Sequence, residues 1–121
     1  MALVLPACLS LAACGEAGDP GAAYRVVQDG QPGRGRVLLS RYQCGSCHAI
    51  PGAVSHSIKV GPSLDGFGRR SYIAGKIPNG SQNLQRWLQD PKALVPATTM
   101  PDVGVSPDDA RDLAAYLLSL T

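Results

Sequence analysis

Cys44, Gly45, Ser46, Cys47 and His48 place two thiols and an imidazole in one short run, in the order C-x-x-C-H. Two residues between the cysteines let one short helical turn aim both sulfurs at the same edge of a flat ring. Each thiol can add across one vinyl group of a porphyrin, and the histidine directly after the second thiol reaches the iron as an axial ligand. The run therefore supports covalent attachment of a c-type haem. A redox-active or zinc-binding C-x-x-C that precedes a histidine is the alternative. Zinc needs two more ligands, and downstream of Cys14 the chain offers only His56 as a further nitrogen donor and no further thiol.

The elements that must hold this run follow from periodicity and breakers. Residues 36–43 have helical spacing, with Leu38 and Tyr42 one turn apart, and the predicted helix runs straight into Cys44. Pro51-Gly52 ends it, and a Gly- and Pro-punctuated loop extends to Gly68. Residues 83–90 read as a short helix stopped by Pro91, with Leu84, Trp87 and Leu88 on one face. Residues 96–101 are extended, because residues before proline avoid the helical region. Ser106 is an N-cap, Pro107 occupies the first turn, and Asp108 and Asp109 complement the positive helix end. Ala110, Leu113, Leu117 and Leu120 then form an apolar stripe. Once a leader is removed Met100 is the only methionine, so no other residue can give the iron a sulfur sixth ligand.

From Gly61-Pro62-Ser63-Leu64 onward the chain resembles class I c-type cytochromes, in which a G-P-x-L turn follows the C-x-x-C-H. The resemblance is sharpest in L-x-x-aromatic-L-x-x-P, a second proline and T-x-M, filled here by Leu84, Trp87, Leu88, Pro91, Pro96, Thr98 and Met100. It covers about Gly35 to Leu120. It implies an all-α cytochrome c fold, three to four short helices and loops wrapped around one covalent haem c. It implies that Cys44 and Cys47 hold the ring and that His48 and Met100 ligate the iron. The Pro62 carbonyl is expected to accept the His48 Nδ1 proton, a bond that fixes the ring and raises its basicity. Arg69 is expected at a haem propionate, with Arg70 as the substitute, since a half-buried carboxylate needs a charged partner. Trp87 is expected against the haem near Met100, and Thr98 at a propionate. The same resemblance makes Leu113 and Tyr116 cross the first helix near Gly35.

Of 121 residues, the first fourteen carry no charge and are rich in Ala and Leu, so residues 1–13 read as an export signal. Leu11-Ala12-Ala13-Cys14 resembles a lipobox, which makes Cys14 the site of lipidation; an ordinary cleaved signal is the alternative. Cys14 would otherwise be an odd exported thiol, and two or more acyl chains give stable anchoring. The segment is too short to span a membrane. Residues 14–34, with little apolar pattern, read as a flexible tether, and residues 35–121 as the cytochrome domain. That domain alone could bury only a marginal core, a shortage that an apolar macrocycle makes good.

Lys and Arg total 11 against 9 Asp and Glu, so net charge says little. Its distribution says more: ten basic residues lie between Arg25 and Lys92 against Asp29, Asp65 and Asp90, whereas Asp102, Asp108, Asp109 and Asp112 cluster near the end. A basic face of this kind would steer an acidic redox partner. The absence of a basic run argues against nucleic-acid binding. The expected function is electron carriage in the bacterial periplasm, on a lipid-anchored protein, without a small-molecule substrate. Expected partners are a terminal oxidase, a quinol-oxidising complex or a periplasmic dehydrogenase. The alternatives are a haem enzyme or gas sensor with a displaceable Met100, and a bis-histidine site using His56.

Overall fold

A computed structural model describes residues 21–52 and 60–121. Cys14 and His56 lie outside them, as do the export signal and the lipid site. The described chain is mostly helical: α1 (Ala22–Arg25), α2 (Pro32–Arg41), α3 (Ser81–Gln89), α4 (Pro91–Leu94) and α5 (Pro107–Ser119), with a two-stranded hairpin of β1 (Tyr72–Ile73) and β2 (Ile77–Pro78). No helix among the described residues is long and apolar enough to cross a membrane.

The C-terminal helix α5 is the spine. Ser106 Oγ accepts the Asp109 N–H at 3.2 Å and Pro107 opens the first turn, as the sequence predicts. Ala110, Leu113, Ala114 and Leu118 are wholly buried and Leu117 nearly so, because α2 packs on one part of α5 and α3 on another. The contact with α2 depends on Gly35. A Cβ there would stand 2.0 Å from the Asp112 carbonyl oxygen and 2.9 Å from Tyr116 Cβ, so any side chain would drive the helices apart. Leu38 and Leu39, one turn further on, fill the space that this approach closes.

A polar clamp lies beside the same crossing. Arg34 pairs with both Asp109 and Asp112, the latter at 2.5 Å; Tyr42 OH donates to Asp109 at 2.6 Å, and the Gln31 N–H to Asp112 at 2.9 Å. The Tyr42 hydrogen bond, with Arg34 beside it, holds the Asp109 carboxyl below its ordinary range. Burial opposes the charge on Asp112, but the Arg34 and Gln31 bonds outweigh it and hold that carboxyl low as well. Two of the four acids counted near the C-terminus are thus internal and already paired.

Two expectations are corrected here. Helix α2 begins at Pro32, whose fixed φ and missing N–H suit a first turn, and Val27 upstream is already buried. Folded structure therefore starts before residue 35, inside the stretch read as tether. Downstream, α2 does not run into Cys44. It ends at Arg41, Gln43 takes a left-handed conformation (φ 55°), and Cys44–Ser46 form a separate 3-10 turn. The hairpin was not anticipated; its tip turns through Ala74 (φ 50°) and Gly75 (φ 67°), the left-handed pair that a tight hairpin requires.

Candidate haem site

A cleft opens between the Cys44–Ser46 turn, α3, α5 and the loop that carries Met100. Cys44, Cys47, His48, Pro62, Trp87, Thr98 and Met100 all line it, together with Leu39, Leu84, Leu88 and Leu117. Most of its wall is apolar, and among the described residues no carboxylate lines it.

The motif forms by local hydrogen bonding. The Cys47 N–H donates to Cys44 O at 3.2 Å and the His48 N–H to the same oxygen at 3.0 Å, which closes the turn and turns both sulfurs to the cleft. The thiols are half-buried and not joined to each other. Burial pushes the Cys44 thiol up, so it stays protonated at neutral pH. Among the described residues no cluster of three His, Cys, Asp or Glu side chains converges, so the zinc alternative lacks a ligand set there.

His48 is held from its far side. Its Nδ1 lies 2.7 Å from the Pro62 carbonyl oxygen, which can only accept, so Nδ1 carries the proton and Nε2 keeps its lone pair for a metal. Gly61 is required by the same contact: a Cβ there would lie 2.4 Å from His48 Cε1. The loop is zipped to the motif by the Gly61 N–H to Cys47 O at 2.9 Å and the Leu64 N–H to Ala49 O at 2.8 Å. A G-P pair marks a turn, but nothing in it says that the glycine packs against the imidazole.

The Met100 loop is held by its own residues. Thr98 Oγ1 accepts the Met100 N–H at 3.2 Å, and the Thr98 N–H donates to Val95 O at 2.9 Å. The Thr98 hydroxyl proton remains able to donate to an anionic group. Trp87 is buried on α3, where Leu84 and Leu88 flank it.

Arg69 is the one assigned residue that the structure places elsewhere. It closes the 3-10 turn Phe67–Arg69, and its guanidinium folds back over Gly66, away from the cleft. The next residue has extended backbone, which turns Arg70 onto the cleft wall. Arg70 lies over the Phe67 ring and donates to the Ser63 and Asp65 carbonyl oxygens. Arg70 is therefore the arginine available to a propionate.

Two unpaired thiols, an imidazole with a free Nε2, a thioether and apolar walls together fit one covalently held haem. A helical fold with that donor set defines a class I c-type cytochrome. Comparison with known proteins agrees: the family model for cytochrome c matches residues 33–121, and the chain belongs to that family. It is 32% identical over 113 residues to cytochrome c of Ginkgo biloba, covering 83% of this chain and 97% of the relative. It is 36% identical over 89 residues to cytochrome c2 of Blastochloris viridis, covering 62% and 68%. It is also 36% identical over 88 residues to cytochrome c oxidase subunit 2 of Alkalihalophilus pseudofirmus, covering 72% of this chain but 25% of that protein. The chain thus spans about a quarter of the length of the oxidase subunits it matches. It binds one covalent haem c, and the family carries electrons.

Proposed function

We propose that this chain passes single electrons between respiratory partners on the outer side of a bacterial inner membrane, tethered by lipid on Cys14. The observation that carries the reading is the donor set of one cleft: His48, held through Nδ1 by Pro62, and Met100 as the one sulfur of the 96–101 loop. Bound haem supplies a one-electron iron couple. Around it, His48 binds through Nε2 with a basicity raised by the Pro62 bond. Met100 in place of a second nitrogen ligand favours the reduced state and raises the potential. The leucines, Trp87 and Phe67 exclude water, and Arg70 and the Thr98 hydroxyl are available to the propionates. No carboxylate among the described cleft residues can serve as an acid or base beside Met100, which favours electron carriage over a haem enzyme or gas sensor.

Likeness to oxidase subunits supports a terminal oxidase as acceptor, with a quinol-oxidising complex or periplasmic dehydrogenase as donor. Pairing of Asp109 and Asp112 with Arg34 removes two acids from the surface. The outer surface is left more basic than a count of residues suggests, which suits an acidic partner. Optical spectra of the matured protein, reduced and oxidised, test the site. A sharp c-type reduced band with the weak near-infrared band of sulfur-ligated ferric haem is expected. A high-spin spectrum without that band overturns the electron-carrier reading in favour of ligand binding or catalysis.

A further inference from the structure

Upstream of the stretch matched by the cytochrome c family, residues 22–31 make contacts that a tether would not. Tyr24 OH donates to the Gly68 carbonyl oxygen at 3.0 Å across 44 residues of sequence. Val27 is 9% exposed, within the main core. Gly30 passes so near α5 that a Cβ on it would come within 2.7 Å of Ala115 Cβ. The Gln31 N–H then donates to Asp112, also on α5. These four contacts fix one short segment to the core, to α5 and to the Phe67–Arg69 turn; Phe67 in that turn and Arg70 directly after it face the cleft.

We infer that residues 22–31 are a strap that braces this turn against α5. The strap contributes no residue to the cleft. Residues 22–31 are thereby part of the folded domain and not of a flexible linker. Bracing the turn also holds Phe67 and Arg70 in place at the haem wall. The inference does not rest on lipidation of Cys14 or on the identity of any redox partner.

Backbone relaxation of the isotope-labelled, haem-loaded, diamagnetic protein tests it. Order parameters for residues 22–31 are expected near those of α5, about 0.85, and values below about 0.6 overturn the strap. Tyr24→Phe removes one hydroxyl and leaves the fold intact. In that variant the Gly68 amide, which donates to Leu120 O at 2.7 Å, is expected to exchange about fivefold faster, with amides of α3 unchanged. Unchanged exchange at Gly68 overturns the brace. The optical spectrum serves as the control for haem loading and is expected to stay the same in both proteins.

Discussion

The loop that supplies His48's partner and the loop that carries Met100 line one cleft but are built in opposite ways. Residues 61–64 are tied to residues 47–49 by four hydrogen bonds that cross between separate stretches of chain, and Gly61 packs against the imidazole. Among the described residues, the hydrogen bonds of residues 96–104 are local: the Thr98 N–H to Val95, the Met100 N–H to Thr98, and the Gly104 N–H to Asp102 at 2.8 Å. A ligand gripped by distant chain is lost only when the fold opens. One held by its own turn can leave while the fold persists. The His48 side is thus the permanent attachment, reinforced by two covalent bonds, and the Met100 side is the adjustable one.

The largest test of this contrast is Met100→Ala. Haem should remain attached, the potential should drop by a substantial part of the roughly 0.8 V range that axial ligands span, and ferrous protein should bind CO without denaturant. An unchanged potential would show that Met100 is not the sixth ligand. Gly61→Ala strikes the other loop. The added methyl must displace the imidazole or the loop, at a cost of about 1–3 kcal/mol, read as a lower denaturation midpoint. Wild-type stability in that variant would refute the close packing. Thr98→Val is subtler. It removes the acceptor of the Met100 N–H, worth about 1 kcal/mol, and should raise the affinity for added imidazole about fivefold while His48 stays bound.

Acid gives the smallest effect, and it acts on neither loop. Asp109 and Asp112 are held below the ordinary carboxylate range in the folded protein, so their contribution to stability is complete above the unfolded value of about 4. It is lost as pH falls through their lower folded values. The melting temperature should therefore fall on acidification below about pH 4, and Arg34→Leu should flatten that dependence. A melting curve insensitive to Arg34 would mean that the clamp contributes nothing.

Legibility in the sequence followed the range over which each feature is decided. The C-x-x-C-H turn, the Ser106 cap and the α3 face are settled by neighbours a few residues apart, and spacing alone displays them; the Thr98–Met100 turn is as local, but residues 96–101 read as extended. The Pro62 contact with His48 came from family resemblance, since nothing in a G-P dipeptide says which histidine it will meet. The clamp was invisible. Arg34 lies 75 residues from Asp109 and 78 from Asp112, and a charged residue in a Gly-rich stretch looks like solvated chain. The same blindness put the start of the domain at residue 35 and missed Pro32 as a helix opener. Arg70 and not Arg69 lines the cleft for a local reason: two adjacent arginines point apart where the backbone changes from a helical turn to an extended residue, and the pattern G-R-R does not say where that change falls.

The close approach at Gly35 has a consequence for how the chain is made. The core forms where the first long helix meets the last one, so its principal contact joins residues separated by nearly the whole domain. Closing so long a loop costs entropy that few local contacts offset on the way. A nascent chain still lacking Leu113 to Leu118 lacks the face of α5 on which α2 packs, whatever helices it has already formed. Folding of this domain must therefore wait until α5 has been made, and a truncation that removes α5 should abolish the fold and not merely shorten it.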